Sequence, residues 1–112
     1  MSPESLIDII IKFREARDWE QFHTPKNLAV SLLLEASEVL ELFQWSPDNQ
    51  LPKQKKKELE EELADVYYYI LLMAHDTGVD LDKALRQKMR KNEKKYPVKK
   101  CKGISKKYTE FK

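Results

Sequence analysis

Two pairs of carboxylates interrupt apolar helical stripes in the middle of this chain, and they constrain its fold more than any other feature. Glu35 and Glu38 stand in Glu-Ala-Ser-Glu; Glu62 and Asp65 stand in Glu-Leu-Ala-Asp, after a gap of 23 residues (39–61). Both pairs are spaced i,i+3, which at about 100° per residue sets their members roughly 60° apart on one helix face. Glu35 lies within the stripe of Leu28, Leu32, Val39 and Leu42, and Glu62 flanks the stripe of Leu59, Leu63, Val66, Ile70 and Met73. Acids aimed at an apolar face are costly unless something pairs with them. Two antiparallel helices would gather all four, and a divalent cation is the usual partner of such a cluster.

The background is helical. Only two glycines occur among 112 residues, while Leu, Ala, Glu, Lys and Gln abound, which predicts an all-α protein with one core. A chain this short leaves apolar surface for a second copy to cover. Charged residues make up 36% of the chain, yet the formal net charge is only +2, because two opposite regions cancel. Residues 1–85 hold 9 Lys/Arg against 17 Asp/Glu, and residues 86–112 hold 12 against 2. An acidic body with a basic tail suits a metal site beside a phosphate-binding segment, or a nucleic-acid contact. The single cysteine, Cys101, forbids an internal disulfide and reads as a surface thiol in a reducing compartment. No apolar run approaches the roughly 20 residues of a membrane span, and the N-terminus lacks a signal-peptide layout, so the cytoplasm is the expected location.

Taken in order, the chain predicts four helices. The first starts at Ser2-Pro3-Glu4 and carries Leu6, Ile9, Ile10 and Phe13, with Ile7 and Ile11 as a second strip suited to a subunit interface. Residues 18–24 form a connection in which Trp19 and Phe22 either plug the core or wall a planar ligand, and His23 is either solvated or backbone-bonded. The second helix starts at Thr24-Pro25 and runs to about Trp45, followed by a loop over 46–52. The third runs from about Lys53 to Thr77 with Gly78 just past its end, and a Lys57–Glu61 pair is expected on its solvated face. Glu58, Glu62, Asp65 and Tyr69 share another face; Tyr67 falls in the core stripe and Tyr68 points elsewhere. The fourth begins near Asp80 or Asp82 and runs to about Lys95, before Pro97. Its buried face is Leu81, Ala84, Leu85 and Met89, and Lys88 and Asn92 lie one turn apart on it. Residues 1–97 thus read as a four-helix domain and 98–112 as a basic C-terminal tail that orders on docking.

Four acids at these spacings fit Mg²⁺, which takes oxygen ligands and keeps room for substrate phosphates. Without a cation they would repel and some would protonate; surface salt bridging is the alternative. There is no zinc-ligand spacing, no glycine-rich phosphate loop and no support for a Ser/His/Asp triad. An acidic centre, aromatic residues near its rim and lysines on the last helix match the needs of a nucleoside triphosphate.

At these residues the sequence resembles the all-α nucleoside triphosphate pyrophosphatases, whose signature is ExxE followed by ExxD on consecutive helices: MazG, dimeric dUTPases and phosphoribosyl-ATP pyrophosphatases. It is closer to the small MazG-like dCTP pyrophosphatases, through Arg17-Asp18-Trp19-Glu20-Gln21-Phe22-His23, Glu41-Leu42-Phe43-Gln44-Trp45, Lys95-Tyr96-Pro97-Val98 and Lys107-Tyr108-Thr109. The resemblance spans about residues 4–110. It implies a four-helix MazG-like subunit that assembles through helix packing into dimers and a homotetramer. It implies a Mg²⁺-dependent hydrolase that splits dCTP or a modified dCTP into the monophosphate and pyrophosphate, sanitising the nucleotide pool. Glu35, Glu38, Glu62 and Asp65 would hold Mg²⁺ and one glutamate would position the attacking water. Trp19 and Trp45 would border the base with His23 nearby, and Tyr69, Lys88 and Asn92 would touch sugar or phosphates. Ala36-Ser37 departs from relatives that carry glycine before the second glutamate, which alters packing more than ligation.

Two other functions fit less of the pattern. One is a broad house-cleaning pyrophosphatase with little base preference. The other is a non-catalytic helical module that uses residues 86–112 on nucleic acid; it predicts steeply salt-dependent oligonucleotide binding that survives Glu62→Ala. The expected partners are the nucleotide substrate and a second copy of the chain; no membrane partner is expected, and nucleic acid is not the favoured one.

Overall fold

The computed structural model describes residues 4–46 and 50–103. Among them the regular structure is entirely helical: α1 Leu6–Ala16, α2 Pro25–Glu41, α3 Lys56–Thr77, α4 Leu81–Lys95 and the one-turn α5 Val98–Cys101, with 3₁₀ turns at Glu20–Phe22 and Lys53–Lys55. The expected Ser2-Pro3 start, the Pro47–Asn49 part of the loop and the Tyr108 and Phe111 part of the tail lie outside the described residues.

Local chemistry sets most helix ends. The Ser5 hydroxyl accepts from Asp8 N–H at 3.2 Å and caps α1. Thr24 caps α2 by accepting from Asn27 N–H at 3.1 Å, with Pro25 in the first turn. Asp80, not Asp82, caps α4, accepting from Lys83 N–H at 3.1 Å, while Asp82 pairs with Arg86 at 2.8 Å. Two helices end in the same six-residue loop. After α3, Val79 N–H donates to Ala74 O and Gly78 N–H to His75 O, with Gly78 left-handed at φ 73°. After α1, Trp19 N–H donates to Arg14 O and Asp18 N–H to Glu15 O, with Asp18 left-handed at φ 54°. Aspartate tolerates that conformation better than most side chains.

Two boundaries differ from the sequence reading. α2 stops at Glu41, and residues 42–45 are turn, so Trp45 lies beyond the helix. Lys53–Lys55 forms a 3₁₀ turn before α3, because Pro52 and the bend there have no side-chain cap to start an α-helix cleanly. Lys57 also pairs with Glu60 at 3.7 Å instead of Glu61.

The chain divides into two compact units, residues 1–79 and 80–112. In the first, α2 packs along α3 and α1 packs on α3. Glu38 faces Glu62 and Glu35 faces Asp65, the pairing order of antiparallel helices. The same register sets Leu28 level with Leu72 two turns away, and these two side chains are fully buried with Ala74 close to it. One charged residue joins them: Arg14 is 2% exposed. Much apolar surface stays open, including Val30, Leu33, Leu34 and Leu40 on α2. Tyr67, expected in the core, is also exposed. In the second unit, Leu85 and Met89 of α4 are exposed rather than buried. The only other described helix of that unit is the one-turn α5. No helix among the described residues is long and apolar enough to cross a membrane.

Candidate active site

α2 contributes Glu35 and Glu38 to the seam with α3, and α3 contributes Glu62 and Asp65. One carboxylate oxygen from each lies within 4.8 Å of the others. Glu35 and Glu62 are half-buried; Glu38 and Asp65 are exposed. Oε2 of Glu35 and Oε2 of Glu62 are shielded from water and have no hydrogen-bond partner. Such orphaned acceptors are rare and need an explanation.

The electrostatics carry the same message. Burial, then a hydrogen bond with Glu38 one turn along α2 and the charges of Glu38 and Asp65, raises the Glu35 carboxyl above its ordinary range. Glu62 is pushed up to about 7, first through a hydrogen bond with Glu38 that needs a proton between the two groups, then through shielding and the charges of Glu38, Asp65 and Glu35. No lysine or arginine is among the causes acting on either group. Four acceptor-only oxygens with two desolvated and unpaired are a donor set that fits a hard divalent cation. Sequence spacing anticipated this convergence correctly.

Beside the acids a cavity of about 360 Å³ opens between α1 and α3. Glu35 and Asp65 form one end of its lining, Phe13, Trp19, Tyr68 and Tyr69 its aromatic wall, and Ile9, Ile10 and Ala64 the remainder. Phe13 meets Trp19 edge-on at 5.7 Å between centroids and Tyr68 edge-on at 6.3 Å; Tyr68 meets Tyr69 edge-on at 5.0 Å. The Arg17 guanidinium caps the Phe13 ring at 3.8 Å. Trp19 reaches the wall because it is the last residue of the loop that ends α1, where an apolar contact back to the helix is usual and Phe13 supplies it.

The other candidate residues are distributed unevenly. Tyr69 lines the cavity one turn beyond Asp65, as its spacing predicts. Tyr68, read from the sequence as pointing elsewhere, lines it too: α1 packs on the flank of α3 that Tyr68 occupies. Trp45 is 85% exposed and borders a different hollow of about 400 Å³, with Leu42, Pro52, Lys53 and Lys55. His23 is half-buried; its Nδ1 lies 3.5 Å from Arg14 Nη1, and burial and then the Arg14 charge lower its pKa. Lys88, exposed, and Asn92, half-buried, belong to α4 in the second unit, so the acid cluster and cavity of the first unit are built without them.

The pattern of the MazG-like family matches residues 30–111. The chain belongs to the MazG-like family. Its relatives include dCTP pyrophosphatase 1 of Mus musculus, 40% identical over 119 residues and covering 98% of this chain and 70% of the relative. The Homo sapiens dCTP pyrophosphatase 1 is likewise 40% identical, with the same shares covered. A pyrophosphatase from Archaeoglobus fulgidus, known from its crystal structure, matches with a TM-score of 0.77 at 42% identity, over 87% of this chain and 98% of its own.

Three residues in or beside the site were not singled out by sequence reading: Tyr68, and the ion pair of buried Arg14 with partly exposed Asp76. Arg14 had a signal. It lies one turn beyond Ile10 on a mainly apolar face, the same kind of intrusion that marked Glu35.

Proposed function

We propose that this chain hydrolyses dCTP, or a modified dCTP, to dCMP and pyrophosphate with Mg²⁺, as a sanitiser of the nucleotide pool. The broader class, a nucleoside triphosphate pyrophosphatase, rests on the family and on the relatives named above. The observation that carries the finer reading is the pair of orphaned carboxylate oxygens, on Glu35 and Glu62, at the edge of an aromatic cavity.

In this reading Glu35, Glu38, Glu62 and Asp65 hold the cation, which when bound supplies positive charge against the triphosphate oxygens. The carboxylates orient the polyphosphate chain relative to the cavity, and one glutamate accepts a proton from the water that attacks phosphorus. The bond between the α- and β-phosphates breaks, and pyrophosphate leaves. Trp19, with Phe13 and Tyr68, offers ring surface to the base, and the Tyr69 phenol reaches sugar or phosphate. Trp45, His23, Lys88 and Asn92 complete the expected binding set. We take residues 1–97 as the catalytic four-helix domain and 98–112 as its basic tail. The open apolar face of α2 supports self-association into a homodimer or homotetramer. A cytoplasmic location fits a chain with one cysteine and a soluble substrate.

One observation favours a broader enzyme. Of the two tryptophans proposed to border the base, only Trp19 lines the cavity within one subunit. Pyrophosphate release from the four dNTPs and four NTPs, with Mg²⁺ and with EDTA, decides between them. Release led by dCTP, abolished by EDTA and by Glu62→Ala, is expected. Equal rates on all substrates would replace base selectivity with house-cleaning, and no release from any substrate would overturn both readings.

A further inference from the structure

The connection that carries Trp19 is tied to one side chain. Arg14 ends α1, and its carbonyl accepts both Arg17 N–H and Trp19 N–H, each at 3.2 Å. Its guanidinium turns the other way and is buried. It donates to Asp76 of α3 through two nitrogens, Nη1 to Oδ2 at 2.8 Å and Nη2 to Oδ1 at 2.9 Å. Nη1 also lies 3.5 Å from Nδ1 of His23, at the far end of the connection. Backbone and side chain of Arg14 therefore grip both ends of residues 18–23 and lock them to α3. The anchor on α3 is significant. Asp76 falls on the face of Asp65 and Tyr69, at i+11 and i+7 from them, so the clamp refers the Trp19 turn to the helix that carries the acids.

Stability alone does not account for this pair. A buried ion pair is often no more stabilising than apolar side chains of similar volume, because both charges must be desolvated. What the fork of a guanidinium on a carboxylate provides, and an apolar pair does not, is a fixed orientation. The neighbouring wall needs that. Trp19 is two-fifths exposed and its ring is met by Phe13 in a T-shaped contact and by the Arg17 guanidinium at 5.9 Å, both from the end of α1, so its ring position depends on how that end is held.

We propose that Arg14 is a positioning residue: paired with Asp76 and touching His23, it holds the Trp19 turn against α3 and so sets nucleotide affinity and base selectivity, not the rate of hydrolysis. The inference rests on the nucleotide reading of the cavity. None of Arg14, Asp76 or His23 lines the cavity, and Arg14 and Asp76 act through Trp19.

The test uses the full chain with Arg14→Leu/Asp76→Leu, which removes the clamp without leaving a lone buried charge, and Asp76→Asn as a gentler second variant. Steady-state kinetics are measured on dCTP and dTTP with Mg²⁺. Acrylamide quenching of Trp19 is measured without nucleotide in a Trp45→Phe background, where Trp19 is the only tryptophan. The expected result is a KM for dCTP raised about tenfold with kcat within about twofold, a preference between the two nucleotides reduced about threefold, and quenching raised about twofold. Asp76→Asn should shift the same quantities in the same direction by less. Wild-type quenching and KM in folded variants would overturn the proposal, as would a fall in kcat at unchanged KM. If the wild type hydrolyses no nucleotide, the nucleotide reading fails by itself, and unchanged quenching would then also overturn the clamp.

Discussion

The first unit holds two clusters of ionised groups that obey opposite rules. Around Arg14, unlike charges meet: through a two-pronged contact the Asp76 carboxylate raises the pKa of Arg14 and the guanidinium lowers that of Asp76. Across the α2–α3 seam, like charges meet, two oxygens are left without partners, and two carboxyls are pushed up. Both are built on α3. The difference shows what each is for. A paired cluster is complete within the chain and fixes geometry; a cluster of acids that repel one another is complete only with a cation from outside.

Substitution separates them most sharply at Glu62. Glu62→Gln removes one charge from the repelling group with little change of shape. We expect kcat/KM for nucleotide hydrolysis to fall by about 10³-fold or more, while the melting temperature of the metal-free protein at pH 8 rises. A fall in both would mean that the acids stabilise the fold and that the comparison is wrong.

Arg14→Ala should do the reverse to stability. It leaves Asp76, whose side chain is about one-fifth exposed, without its partner, and urea denaturation should show a loss of about 1.5–3 kcal/mol. A loss below about 1 kcal/mol would place the pair among exposed ion pairs of little consequence.

Mg²⁺ provides the next contrast. A ligand that binds only the folded state at ten times its Kd stabilises by about 1.4 kcal/mol. Melting with and without Mg²⁺ should reveal this in the wild type and in Asp76→Asn, and not in Glu62→Gln.

The two clusters should also give stability opposite slopes against pH. Glu62 has its folded pKa raised to about 7 from an ordinary 4.5, so its contribution is present below 4.5 and is lost as pH rises toward 7. Asp76 is held below its ordinary 3.8, so its contribution is full above that value and is lost as pH falls beneath it. His23 is held below its ordinary 6.5 and is stabilising as the neutral form, an advantage lost as pH falls through that range. Metal-free melting from about pH 2 to 8 should therefore lose its downward component above about pH 5 in Glu62→Gln, and lose part of its low-pH fall in His23→Gln and Asp76→Asn.

The smallest effect concerns the turn between them. Asp18→Gly should change stability by less than about 1 kcal/mol, because glycine accepts the left-handed backbone at no steric cost but gives up the side-chain bond from Gln21. Asp18→Val, which cannot relax there, should cost more than this.

Legibility followed the range of the interaction. The acids were legible because i,i+3 spacing within an apolar stripe is a property of about eleven consecutive residues. Thr24-Pro25, Asp80 and Gly78 were legible for the same reason, since caps and left-handed ends are satisfied within one turn. Tyr69 followed from Asp65 by counting one turn. Tyr68 did not, because a residue about 100° further round the helix is inside or outside according to where α1 lies, and no local pattern says where. The end of α2 was placed too late for a related reason: Leu42-Phe43-Gln44-Trp45 has helical composition, but the chain bends there to reach α3.

The chain's own letters were thus enough to decide that it is helical, where most helices begin and end, and which four carboxylates share two faces. Those outcomes depend on hydrogen bonds and spacings a few residues long. Packing of α1, α2 and α3 decided the rest. It brought Arg14 to Asp76 across 62 residues, put Trp19 into the cavity while leaving Trp45 at another hollow, and turned Tyr68 inward. Such contacts depend on how rigid helices settle against one another, and side chains distant in sequence carry no periodic signal of their meeting.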